Sequence, residues 1–311
     1  MTVDAANSST KKNKKRSPIH LTQKNLCLGR PTITRKHEST LQWLYTNIGE
    51  SQVTSQTSPQ HEAACWILRE SSKKLNKQRY AMAVIYYATK GAGWETSRDW
   101  MLSTKHECDW YGVTCNLKRQ VTELDLGYIE LDGLVPREIG LLKHLKDLDL
   151  HGNDLQGVIP HKLMAGNTHL EYLRLQMNGL FGAIHKEITN LFRLKELYLY
   201  GNYIAGTIPK ELSKLKHLEH IDLYANQLSG TIPSELAKLP HLKYLDVHDN
   251  NLVGTMPKEI CDMKHQLKEL VADCHGKNPE VKCDCCTVCC QGLPAMYCVD
   301  QKTGKAVDRA F

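Results

Sequence analysis

Eight of the twelve cysteines crowd into one stretch: Cys261, Cys274, Cys283, Cys285, Cys286, Cys289, Cys290 and Cys298. Thiols at this density can staple a small cap by oxidation, or bind a soft metal as thiolates. Cys286-Thr-Val-Cys289 has the two-residue gap of a zinc knuckle, and His265 and His275 could complete a ligand set. Structural zinc sites pair two separated knuckles, and only one dense cluster occurs here. Disulfides are therefore the favoured reading for an oxidising compartment, and thiolate chemistry the favoured one in reducing cytosol. The pairing stays open, and no metal set and no cofactor is assigned. Cys108 and Cys115 form a separate close pair, while Cys27 and Cys65 receive no role and could be free thiols.

A second group of residues suits recognition. Tyr172, Arg174, Tyr198, Tyr200, Asp222, Tyr224, Tyr244 and Asp246 recur at matching positions of a repeat, and Tyr and Arg offer large contact areas with a polar handle. Asp125, Asp149, Asp222 and Asp246 come as adjacent pairs, which favours a partner basic at its ends. Calcium is the alternative occupant, although strand-borne carboxylates lack the wrapped loop of such sites. Carboxylates near His151, His220 and His248 could be drawn as acid–base pairs. An open sheet neither excludes water nor shifts pKa values, so no catalysis is assigned. The chain has no Gly-rich phosphate loop, no His-Arg-Asp string and no Asp-Phe-Gly string.

The element that must position these side chains is periodic. The purest copy is Leu194-Lys-Glu-Leu197-Tyr-Leu199-Tyr-Gly-Asn202-Tyr-Ile204-Ala-Gly206-Thr-Ile208-Pro209. First positions fall at Val121, Leu145, Leu170, Leu194, Leu218 and Leu242, with a truncated copy at Leu267, so the spacing is 24 or 25 residues throughout. That period predicts an α/β solenoid with a parallel concave sheet. Leu197 and Leu199 alternate with Glu196, Tyr198 and Tyr200, so each short strand has one apolar and one wet face. Asn153, Asn178, Asn202, Asn226 and Asn250 sit where each strand bends, where a buried side chain must find backbone partners in adjacent turns. The first copy has Ile129 there, and His185 replaces a proline present in the other five complete copies.

The Gly-x-Ile-Pro segment resembles the plant-type leucine-rich repeats of receptor-like proteins, receptor-kinase ectodomains and polygalacturonase-inhibitor proteins, over roughly residues 94–290. The resemblance implies a horseshoe with a Cys108–Cys115 disulfide in an N-terminal cap. It also implies a protein or peptide ligand on the concave face and a cell-surface or extracellular location. It stops at the ectodomain of the receptor kinases. Asp273-Cys274 and the run from Val281 to Cys290 look like the end cap of leucine-rich-repeat proteins encoded in diatom genomes. Trp43-Leu44, Ser58-Pro59-Gln60 and Tyr80-Ala81 look like the same group. The expected organisation is a basic tail over 1–38, a helical region over 39–92, a repeat cap over 93–120, the stack over 121–271 and a Cys-rich cap and tail over 272–311.

Charge and helix signals fill in the rest. The net charge is +6, and residues 1–38 hold nine Lys/Arg against two acids, so the remainder carries −1. A nearly neutral body argues against nucleic acid as a partner. Lys11 to Arg16 form a basic string of nuclear-address or anionic-lipid type, and Asn7-Ser8-Ser9 matches a glycosylation sequon. No apolar run of about 18 residues exists, and polar residues follow the N-terminal lysines, so neither a spanning helix nor a secretory signal is expected. Membrane association would then need a segment missing from the N-terminus, and a cytoplasmic or nuclear location is the alternative. Three helices are expected between residues 39 and 92: one capped by Ser39, one opened by Ser58-Pro59 and one ending at Gly91. They should cover the first turn. The function read from these features is non-catalytic protein or peptide recognition. Inhibition of a secreted hydrolase and an intracellular scaffold are the alternatives.

Overall fold

The computed structural model describes residues 26–27, 37–70, 75–276, 280–291 and 297–307. The basic string and the sequon lie outside them. Its centre is an eleven-stranded sheet in which seven parallel strands follow the chain: Val121–Asp125, Asp147–Asp149, Tyr172–Arg174, Glu196–Tyr198, His220–Asp222, Tyr244–Asp246 and Glu269–Ala272. Equivalent positions pair in exact register, Leu148 with Leu173, Leu173 with Leu197 and Leu197 with Ile221. The repeat sets this register, because a one-residue slip would turn every buried leucine to water. An antiparallel strand, Val113–Cys115, closes the first edge. Val288–Gln291, Tyr297–Asp300 and Ala306–Val307 extend the other. Capped edges leave fewer unpaired backbone groups than the six or seven strands counted from the repeat would.

Each complete turn then runs through a second, six-stranded sheet and a proline, replaced by His185 in the third, into a short helix on the convex side, such as Lys210–Lys214 or Ser234–Lys238. Leu197, Leu199, Ile204, Ile208, Leu212 and Leu215 are all at most 2% exposed, so one turn buries half a dozen aliphatic side chains. At roughly 1.5–3 kcal/mol each, this burial offsets the entropy of ordering a short irregular segment. The asparagines tie neighbouring turns. Asn202 Nδ2 donates to the carbonyls of Leu175, Leu199 and Tyr200, and its Oδ1 accepts from Leu180 N. Asn153, Asn178, Asn226 and Asn250 repeat the donor pattern one turn apart.

Asp273 ends that ladder. The N–H of Asn226 donates to the carbonyl of Asp249 in the next turn, whereas the N–H groups of Asp249 and Asn250 donate to the Asp273 carboxylate. Asp273 is 3% exposed, and burial pushes its carboxyl up to about 6 from an ordinary 3.8 despite those two donors and nearby His248. Between these values the folded chain binds a proton that the unfolded chain does not. Stability from this group therefore falls as pH rises from about 4 to about 6, by up to about 3 kcal/mol. Asp273→Asn should remove that slope. Denaturant midpoints at pH 4 and pH 7 check it, and a native-minus-variant difference that ignores pH contradicts it.

The helical region packs on the first turn. Helices α1 (Glu38–Leu44), α2 (Glu50–Thr54), α3 (Pro59–Glu70) and α4 (Lys77–Ala88) share one core with the repeats. Four segments replace the three expected, because the first continues through a π turn, Tyr45–Gly49, into α2. Ser39 does not cap it. The helix starts at Glu38, whose carboxylate suits the positive end of the helix dipole. Ser58 does cap α3, its Oγ accepting from His61 N, and Asn76 caps α4 by accepting from Arg79 N. Asp132 N and Trp94 Nε1 both donate to the Thr89 carbonyl where α4 ends. Gly133 lies so close, with φ 137°, that a Cβ there would be 2.2 Å from the Ala88 carbonyl oxygen.

All twelve cysteines pair, as Cys27–Cys65, Cys108–Cys115, Cys261–Cys285, Cys274–Cys289, Cys283–Cys286 and Cys290–Cys298. Two readings change. Cys27 and Cys65 are bonded to each other, not free. Cys286 and Cys289 belong to two different disulfides, and a disulfide sulfur is not the thiolate that a zinc knuckle requires.

Candidate functional site

The concave face is built from strand positions that alternate with the buried leucines. Tyr172, Arg174, Tyr198, Tyr200, Asp222, Tyr224 and Tyr244 are all half-buried there. Sheet register places Arg174, Tyr198, Asp222 and Asp246 side by side in one row, and Tyr172, Glu196, His220 and Tyr244 in the next. Just past the strand ends, Tyr200 and Tyr224 stack at 4.6 Å between centroids, and Tyr224 stacks on His248 at 4.8 Å. Tyr198 Oη shares a 2.9 Å hydrogen bond with His220 Nδ1, and the His220 ring lies 4.2 Å from that of Tyr244. Burial pushes the Tyr198 hydroxyl up to about 12, helped by Glu196 and Asp222. Tyr200 shifts the same way, again through burial first. Both hydroxyls therefore stay protonated and able to donate near neutral pH.

Two of the expected contact residues are already committed inside the protein. Arg174 Nη1 donates to both carboxylate oxygens of Asp147 at 2.9 Å and Nη2 donates to Glu196 at 2.8 Å, with the guanidinium 5.0 Å from the Tyr172 ring centre. Its guanidinium rigidifies the centre of the sheet before any partner arrives. Asp246 is only 7% exposed and accepts from the His248 imidazole at 2.5 Å. His248 is fully buried, within 4.8 Å of the Cys290 and Cys298 sulfurs. The C-terminal cap thus removes Asp246 from the open face.

The acid-rich end is real but uneven. Glu123 and Asp125 are exposed, whereas Asp149 accepts from the His151 imidazole at 2.5 Å. Burial raises the Asp147 carboxyl against the opposing pull of Arg174, with Asp149 and Glu123 adding to the rise. Reading strand rows missed Tyr128, which is 56% exposed, packs 4.5 Å from His151 and donates to Met177 Sδ. Tyr128 lies outside the strand and takes a left-handed φ of 53°, so alternation could not place it. The same rows do hold His220 and His248 beside the tyrosines, but neither is among the expected contact residues.

Residues 192–252 match a leucine rich repeat family model, and residues 144–165 match a second. A curated relative is the LRR receptor-like serine/threonine-protein kinase GSO2 of Arabidopsis thaliana, 37% identical over 98 residues. That match covers 32% of this chain and 8% of the kinase. Among solved structures, the LRR ectodomain of the plant membrane receptor kinase GASSHO1/SCHENGEN3 from Arabidopsis thaliana, in complex with CASPARIAN STRIP INTEGRITY FACTOR 2, superposes with a TM-score of 0.55. It is 31% identical and covers 61% of this chain and 22% of its own. The LRR ectodomain of the receptor kinase SOBIR1 from Arabidopsis thaliana gives a TM-score of 0.50 at 26% identity, over 57% of this chain and 95% of that ectodomain. The chain thus spans a small part of the receptor kinases it resembles and matches their repeat portion. Among the described residues no helix is long and apolar enough to cross a membrane.

Proposed function

This chain being a plant-type leucine-rich-repeat protein, we propose that it is a non-catalytic recognition module that binds an extended peptide segment along its concave face. The observation that carries this is the aromatic platform of Tyr198, Tyr200, Tyr224 and Tyr244, half-buried and held in place by ring stacking. A rigid, partly desolvated aromatic surface loses little rotamer entropy on binding, which is why such residues dominate interface energies. Seven parallel strands about 4.8 Å apart span roughly 29 Å, the length of about nine extended residues. The exposed carboxylates Glu123 and Asp125 at one end suit a peptide whose matching end is basic. The ectodomain of similar fold solved with CASPARIAN STRIP INTEGRITY FACTOR 2 supports the same class of activity. Six disulfides fit an oxidising setting such as the cell exterior.

Peptides selected from a displayed random twelve-residue library provide the probe. Tyr200→Ala should weaken a selected peptide by about 2 kcal/mol, or roughly 30-fold, as a central anchor would. Tyr203→Ala removes an exposed ring on the second sheet and should leave affinity unchanged. Calorimetry on both variants decides. Equal affinity for native protein and Tyr200→Ala removes the concave platform as the binding face.

A further inference from the structure

The convex side carries a departure from the repeat that the concave site does not explain. Five complete copies place a proline at the turn into the convex helix: Pro136, Pro160, Pro209, Pro233 and Pro257. The remaining copy has His185, whose φ of −73° and ψ of 145° are values a proline would take. Proline there would restrict the unfolded chain at no cost to the fold, so the histidine gives up rigidity. One residue after the proline, the other turns carry Arg137, Lys186, Lys210, Ser234 and Lys258, and the second turn alone carries His161. Stacking of adjacent turns brings the two exceptions together. Their rings lie 4.2 Å apart, tilted by 44°. Glu187 joins them, and one ligand atom from each of the three residues lies within 4.8 Å of the others.

We propose that His161, His185 and Glu187 form a surface site for a divalent transition-metal ion, with zinc or copper as its chemical class. Two imidazole nitrogens and one carboxylate oxygen are the donor set such ions take in preference to magnesium or calcium, which want mostly oxygen. Zinc needs its ligands about 2.0–2.2 Å away, and His161 is exposed enough to turn a ring toward a shared ion. Three protein ligands on an open surface leave a coordination position for water or for a donor from a partner. The site spans the second and third turns, so the ion would also clamp one repeat to the next.

Titration of Zn²⁺, with Mg²⁺ as comparator, into the oxidised full-length chain lacking an affinity tag tests this by calorimetry. One zinc should bind per chain and magnesium should not compete. His185→Pro restores the residue of the other repeats, so it should keep the native circular-dichroism spectrum while weakening zinc by at least about 10–100-fold. His161→Gln should weaken it similarly, and His217→Gln, a surface histidine on another turn, should not. Absence of zinc binding to the native chain overturns the site. Binding that survives either His185→Pro or His161→Gln overturns it equally.

Discussion

Arg79→Leu should cost about 3–5 kcal/mol of folding stability, because it strands a buried carboxylate. Glu107 is fully buried. Arg79 Nη1 donates to it at 3.0 Å, and Asn76 and Gln78 donate to its other oxygen. The same guanidinium donates to the carbonyls of Leu102 and Lys105 and lies over the Trp66 and Trp110 rings at 4.8 and 5.2 Å. One side chain of α4 thereby fastens the helical region to the loop closed by Cys108–Cys115. Burial alone would raise the Glu107 carboxyl. Hydrogen bonds from Gln78, its own backbone and Arg79, with His106 nearby, outweigh that and hold it below the ordinary carboxylate value. The stabilisation is thus present above the ordinary carboxylate pKa and lost as pH falls through the lowered one. Chemical denaturation of Arg79→Leu, Glu107→Gln and the double variant tests the arrangement. The double variant should recover much of the loss, since no charge is then left unpaired. A single-variant loss under about 1 kcal/mol would show that water reaches the carboxylate.

Removing the Cys27–Cys65 disulfide by Cys27→Ala with Cys65→Ala should cost about 4 kcal/mol on the chain-entropy estimate, the largest of the six because its residues are farthest apart. Their sequence separation is 38, against 3 to 24 for the others. The bond holds Leu26, 6% exposed, in the core shared by α3 and the repeats. Urea midpoints of the two forms, both with the remaining five disulfides oxidised, measure the cost. A midpoint unchanged by the double substitution would mean that packing around Leu26 holds the segment without the bond.

The chain by itself determined the rungs. Each turn packs on its immediate neighbours, so a period of 24 or 25 residues maps directly onto strand register, the buried leucines and the positions of Asn153 to Asn250. That is the physical reason a solenoid reads so well from one dimension. The ends read less well, because they are not periodic. Eight clustered cysteines gave a disulfide cap but not its pairing, which depends on how the strands beyond Glu269 fold back. Cys27 found Cys65, and Arg79 found Glu107, across separations on which no local pattern bears. Within the repeats, alternation told which side chains face outward but not what they do there. Arg174 reaches Asp147 and Glu196 only because stacking places three strands in register, and Asp246 is buried only because the end cap lies behind His248. His161 and His185 sit a full turn apart in the chain and 4.2 Å apart in space. Spacing along the chain decides what each turn looks like; contact between turns and caps decides which side chains remain for a partner.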